Sequence, residues 1–234
     1  MRRRLASLLL GLLLLAGCGE ERSGHGTARL WVTRDRGAHV VVVRTVPAGL
    51  TLVQALDRVA DVKTSYGGRY VQAIDGIEGS LSGQRDWFWF VNGIEGDRSA
   101  AEYRLRAGDV EWWDYRSWGE RMSQPVVVGA FPEPFVHGYD GKRYPTVVVY
   151  SRPEFATVAQ RIAHLVHGSV TNRRAPLSAP GVLRNYVRIV PGRSLRGTLV
   201  EGGGQAVDFE IGVEAAKRLA ANPAAARFRY EGLP

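Results

Sequence analysis

The segment Asp86-Trp87-Phe88-Trp89-Phe90-Val91-Asn92-Gly93 limits what this chain can fold into more than any other. Successive side chains of a strand point to opposite faces. Trp87, Trp89 and Val91 therefore share one side, and Phe88, Phe90 and Asn92 the other. Both sides are apolar, which predicts a strand covered on both faces, and Asn92-Gly93 predicts a turn. A lone sheet cannot bury such a strand; layers are needed above and below it. A chain of 234 residues, 45% of them hydrophobic, has the material for one core or two small ones.

The neighbouring segments supply the layers. Ala28–Thr33 and Val40–Val43 flank Arg34-Asp35-Arg36-Gly37 and predict a hairpin. Thr51 is a good N-cap for a helix carrying Leu52, Ala55, Leu56 and Val59 at helical spacing and stopping near Asp61. Tyr66–Asp75 predicts a strand, Ala107-Gly108-Asp109 a tight turn, and Val110–Tyr115 a closing strand. Hairpin, helix, then several strands is the order of a β-grasp fold. Further on, Val126–Val128, Thr146–Tyr150, Tyr186–Val190 and Val207–Ile211 predict strands, and Phe228-Arg229-Tyr230 an edge strand. Pro153 opens a helix bearing Phe155, Val158, Ile162, Leu165 and Val166 near one face, and Val213–Ala221 forms another, stopped by Asn222-Pro223. The fold class is α+β: a β-grasp-like domain over residues 28–120, expected to fold without the rest, and a second small α+β domain over 124–234. The linker is placed at about Gly119 to Pro125.

The N-terminus carries a separate message. Arg2, Arg3 and Arg4 precede an apolar run, Leu5–Ala16, of signal-peptide length, ending Leu15-Ala16-Gly17-Cys18. This resembles a bacterial lipobox. The resemblance implies a cleaved leader of residues 1–17, a diacylglyceryl thioether on Cys18 with palmitate-type chains, and a stalk over 18–27. The protein is then expected at the cell membrane, lipid-anchored on its extracytoplasmic face, where nucleic acid is not a partner. Cys18 is the sole cysteine, so no intramolecular disulfide is available. The formal charge of +8 is uneven, residues 18–123 being near neutral and 124–234 basic. That basic half could face lipid headgroups or cell-wall polymer, or be an ordinary solvated surface.

Gly49-Leu-Thr-Leu-Val-Gln-Ala-Leu, Trp87-Phe-Trp-Phe-Val-Asn-Gly and Leu105-Arg-Ala-Gly-Asp-Val-Glu-Trp-Trp-Asp-Tyr resemble, in that order and spacing, the transcobalamin-type C-terminal domain. The resemblance spans residues 28–118 and implies a β-grasp-like module of the kind found in cobalamin carriers. The carriers' large helical lobe has no counterpart in this chain. The ligand class it implies is a corrinoid, cobalamin included, bound as a captured molecule; no cofactor for catalysis is expected.

The residues that could form an aromatic ligand wall are Trp87, Trp89, Trp112, Trp113, Tyr115 and Trp118, with Asn92 as a hydrogen-bonding amide; large side chains filling a small sheet's core is the competing reading. No Gly-x-Ser-x-Gly or His-Glu-x-x-His is present, Gly202–Gly204 reads as a turn, and His164 and His167 lack a third ligand, so neither an enzyme nor a metal site is expected. The expected function is a non-enzymatic lipoprotein that captures a small ligand. The alternative is an envelope interaction or scaffold protein whose aromatic face binds a protein or polysaccharide partner.

Overall fold

The computed structural model describes residues 26–172 and 182–234. Its first half comprises β1 (Thr27–Arg34), β2 (His39–Pro47), α1 (Leu52–Asp57), β3 (Val62–Ser65), β4 (Tyr70–Ile74), β5 (Ile77–Glu78), β6 (Arg85–Val91), β7 (Ile94–Glu95) and β8 (Val110–Ser117). The main sheet has the order β2-β1-β8-β6-β7, and β3-β4-β5 form a second, small sheet. β1 lies parallel to β8, with Trp31 opposite Trp112, and antiparallel to β2. This is the β-grasp-like arrangement anticipated from the order of elements. Thr51 caps α1 in a full capping box with Gln54, and Leu52, Ala55 and Leu56 bury against the sheet. The stretch Tyr66–Asp75 is not one strand. Tyr66, Gly67 and Gly68 all have positive φ, so the chain reverses there, and β3 precedes the turn.

The second half comprises α2 (Glu133–Val136), β9 (Thr146–Tyr150), α3 (Ala156–Leu165), β10 (Ser169–Thr171), β11 (Asn185–Val190), β12 (Leu195–Leu199), β13 (Val207–Gly212) and α4 (Val213–Ala221). The sheet order is β10-β9-β11-β13-β12. β9, β10, β11 and β13 run parallel; β12, absent from the sequence reading, is antiparallel. Val148, Val187, Ile189 and Ile211 are buried in one core with Val158 and Ile162 of α3 and Leu219 of α4. Arg188 with Asp208, and Arg196 with Glu210, form ion pairs between neighbouring strands. The fold is thus α+β, with mixed sheets and few helices.

Two segments read as strands are not. Val126 makes a single bridge to Ile94, and the chain then turns as a 3₁₀ segment at Val128–Ala130. Phe228–Tyr230 forms no strand; Tyr230 inserts its ring into a cluster with Trp31, Phe90, Val110, Trp112, Val127 and Ala130. Residues 126–135 lie between the halves: Val127 and Ala130 cover the first sheet, while Phe131 and Phe135 pack on Phe209. Residues 28–120 alone would expose Trp31, Phe90 and Trp112 on that face.

The segment placed as a linker is also held. Arg116, its guanidinium fully buried over the Phe88 ring, donates to the carbonyls of Arg121 and Met122 and to Glu95 Oε1, while Ser123 Oγ and the Gln124 amide donate to Glu95 Oε2. The basic, proline-containing stretch 173–181 and Cys18 lie outside the described residues.

Candidate functional site

β6 is paired unevenly. From Arg85 to Val91 it has β8 on one side. On the other, β7 pairs only with Phe90 and Val91, and Ser80 bridges Arg85. Between them, Trp87-Phe88-Trp89 pairs with no strand on its outer edge among the described residues; there the Trp89 carbonyl accepts from the Gly96 amide. A groove of about 360 Å³ opens there, lined by Trp87, Phe88, Trp89 and Trp113, with Tyr70 and Val71 of β4 on one wall and Gly96, Ser99, Ala100 and Met122 on the other. That volume lies in the range of small-ligand sites.

Each wall residue has an identifiable support. Trp87 is buried, and its indole N–H donates to the Ile77 carbonyl at 2.8 Å. Trp89 is half-buried; its ring meets Tyr103 edge-on at 5.9 Å and lies directly on Gly96. Tyr70 donates its hydroxyl to Asp86 at 2.6 Å; burial and that carboxylate both push its ionisation upward. The Ser99 hydroxyl donates to the Arg69 carbonyl. Arg69 pairs with Glu102, and Arg98 with Asp97 and Asp140, so the two cations at the rim are already neutralised.

Gly96 is needed for a steric reason: a Cβ there would overlap the six-membered ring of Trp89. Gly96→Ala is expected to displace that ring, cost about 1–3 kcal/mol as an overpacked contact, and shift tryptophan emission. Urea melts with fluorescence detection check this; an unchanged spectrum and midpoint would show that Trp89 does not rest on Gly96.

Behind the groove, Trp113 donates its indole N–H at 2.6 Å to Oε1 of Glu111, which is wholly buried and whose Oε2 has no partner among the described residues. Burial raises this carboxyl well above the ordinary carboxylate range; the indole N–H opposes the shift without cancelling it. The folded state therefore holds the proton to higher pH than the unfolded chain. The stability Glu111 allows is fully present below the unfolded pKa and falls as pH rises toward the folded value. Glu111→Gln, which is neutral at every pH and keeps an acceptor, is expected to melt above the native protein at pH 8. The difference should shrink toward zero near pH 4. A difference independent of pH would contradict this.

The sequence candidates separate cleanly. Trp87, Trp89 and Trp113 meet at the groove. Trp112 does not: it lies on the opposite face, with no accessible surface, between Phe90 and Tyr230. Asn92, expected as a ligand-binding amide, is fully buried. Its Nδ2 donates to Asp109 Oδ1 and the Gly138 carbonyl, and its Oδ1 accepts from the Val110 amide, so it pins three segments of chain together. Tyr115 is packed against Trp87 at 5.2 Å and donates to the Glu78 carbonyl, and Arg85 covers its ring. Trp118 is half-buried past the end of β8, away from the groove lining. Sequence reasoning missed Tyr70, Arg69, Ser99 and Met122, because only the tertiary approach of β4 and the 96–123 segment to β6 brings them there.

No group of three or more metal-ligating side chains occurs among the described residues. α3 ends at Leu165, so His167 lies beyond the helix that carries His164, and both are exposed. No helix among the described residues is long and apolar enough to cross a membrane.

Residues 49–117 match the family model of a domain of unknown function, DUF4430. That region runs from just before α1 to the end of β8 and contains every groove residue except Met122 and Ser123. No curated protein matches the chain. Among solved structures, a candidate metal-binding protein from Ruminococcus gnavus is similar, at 17% identity and a TM-score of 0.32, over 39% of this chain and 97% of that one. Haptocorrin in complex with Cbi is similar at 14% identity and a TM-score of 0.34, over 40% of this chain; the chain spans only 25% of haptocorrin's length.

Proposed function

We propose that this protein is a non-enzymatic, extracytoplasmic binding protein, tethered through Cys18, that captures a ligand in the groove beside β6. The observation that carries the reading is the convergence of Trp87, Trp89 and Trp113 on one open groove at an unpaired strand edge. Aromatic walls with a few fixed polar groups are the usual composition of a small-molecule site. The resemblance noted from the sequence supplies the ligand class, a corrinoid. With no helical lobe among the described residues, the ligand's far side would face solvent, residues 124–234 or a second protein.

The test is a fluorescence titration of residues 19–234, which contain every described contact, with cobinamide and with cobalamin, corrected for inner-filter absorption. Saturable quenching at micromolar affinity, about −8 kcal/mol, is expected, weakened at least tenfold by Trp89→Ala. No saturable quenching by either corrinoid at tens of micromolar, with the protein folded, would remove the corrinoid class. The tether is tested separately, by labelled palmitate in a bacterial host: label in the native membrane fraction and none in Cys18→Ala is expected, and equal partitioning of the two would overturn it.

A second reading, an envelope interaction protein, draws on one specific observation. Tyr66 is 81% exposed, Leu81 86% and Met122 59%, and with Tyr70 they surround this groove and the cleft that adjoins it through Tyr70. Single exposed apolar residues need no explanation; several around one site favour a macromolecular partner.

A further inference from the structure

The groove floor is a strand edge, and its backbone has a definite polarity. Arg85 exchanges both backbone hydrogen bonds with Ser80, and the Trp89 carbonyl accepts from the Gly96 amide. Odd-numbered residues of β6 therefore present their peptide groups away from β8. Even-numbered residues face β8, as the Asn92 amide does in donating to the Val110 carbonyl. The Trp87 amide is occupied by the neighbouring Asp86 carboxylate at 2.8 Å. What remains facing the groove is the Trp87 carbonyl and the Trp89 amide, an acceptor and a donor spaced as one strand offers them to another.

We propose that Trp87-Phe88-Trp89 is a strand-addition site, at which an extended polypeptide segment continues the sheet and lodges an apolar side chain against Trp89. This rests on the reading of the groove as a binding site and gives that site a second ligand class, a peptide, beside the corrinoid. The peptide backbone is the chemistry that matches a donor–acceptor pair on a strand edge, and strand addition takes affinity from the backbone and selectivity from alternate side-chain pockets. Side chains of an added strand alternate between two surfaces already present. One set meets the half-buried Trp89, with the buried Trp87, Trp113, Val71 and Ala100 beneath it; the other meets Phe88 and Met122. Natural sheet edges are commonly guarded by charge, proline or a bulge. This one is bordered instead by exposed Tyr70 and Met122, and the arginines nearby are ion-paired, so charge neither guards the edge nor selects the partner. The fitting segment is short, extended and apolar at its centre.

The test uses ¹⁵N-labelled residues 19–234 and two probes: acetyl-Lys-Val-Phe-Val-Lys-amide, and the same peptide with its phenylalanine nitrogen methylated. The first is expected to shift the Trp87 and Trp89 amide resonances and the Trp89 indole resonance saturably, and to slow exchange of the Trp89 amide proton. Methylation, which removes one strand hydrogen bond and blocks the edge, is expected to weaken binding at least tenfold. Equal binding of both peptides would overturn strand addition, since the side chain alone would then be recognised. Absence of any shift with the first peptide would overturn it too. Cobinamide run in parallel separates the two levels: corrinoid binding at Trp89 without peptide binding defeats the strand proposal and leaves the groove as a site, whereas silence from all three probes defeats both.

Discussion

Trp112→Ala is expected to lose about 3–5 kcal/mol of stability, the usual cost of emptying a fully buried aromatic site. Trp112 meets Trp31, Phe90 and Tyr230 with ring centroids 5.6 to 6.0 Å apart, and its indole N–H donates to Thr33 Oγ1 at 2.7 Å. Deleting it leaves a cavity that three rigid rings cannot fill by small shifts, and removes the donor to Thr33 Oγ1. Because Tyr230 and Val127 come from beyond residue 120, the loss should appear in both halves at once. Urea unfolding followed by near-ultraviolet and far-ultraviolet circular dichroism should give coincident transitions at a lowered midpoint. A loss below about 1 kcal/mol, far under the range for such a truncation, would mean that the C-terminal tail does not cover this face.

Asp114→Ala is expected to be comparably severe, by a different route. This buried carboxylate accepts from Thr33 Oγ1 at 2.5 Å, from the Arg36 and Gly37 amides at 3.1 Å and from the Tyr230 hydroxyl at 2.9 Å. It therefore closes the β1–β2 turn and anchors the tail through one side chain. Gly37, at φ +79°, lies so close to the Phe228 carbonyl that no side chain fits there. Removing the carboxylate strands the Gly37 amide and the Tyr230 hydroxyl, both buried, at roughly 1–3 kcal/mol for each orphaned donor, while the Thr33 hydroxyl keeps only the Trp113 carbonyl at 3.4 Å. A total loss above 3 kcal/mol is expected, together with red-shifted tryptophan emission as the tail leaves Trp112. Asp114→Asn, which keeps one carbonyl acceptor, should lose less. Equal melting temperatures for native protein and Asp114→Ala would show that the tail is held by other means.

These two residues also show where the sequence stops being informative. Local patterning was sufficient for the hairpin, the capped helix, the two-faced β6 strand and the closing strand, because period and turn chemistry are written in neighbouring residues. Trp112 and Trp113 are adjacent, so one of them should face away from a single-layered core unless something covers it. Both are buried, because Tyr230 reaches back 116 residues to Asp114 and covers the second face. No short-range pattern encodes that contact. The same holds for Arg116: an arginine at a strand end reads as solvent-facing, yet it is buried and gathers the carbonyls of the segment that follows.

The candidate site was legible by half. An aromatic strand predicted either a wall or a core, and its residues divide between the two: Trp89 opens on the groove, Phe90 does not. The division depends on where β7 ends, after only two paired residues, and that depends on Gly96 letting the chain leave over the Trp89 ring. Asn92 looked available because Asn-Gly turns usually sit in solvent; here Gly138 and Asp109 close over it.

β6 presents an open edge at the floor of the groove, and amide hydrogen exchange along β6 tests this openness. The Phe88 and Phe90 amides point toward β8, opposite Asp114 and Trp112, and should exchange slowly, near the rate set by global unfolding. The Trp89 amide points into the groove and should exchange at least a hundredfold faster than either neighbour. Equal protection of Phe88, Trp89 and Phe90 would mean that the edge is closed and that the groove offers no strand edge to a ligand.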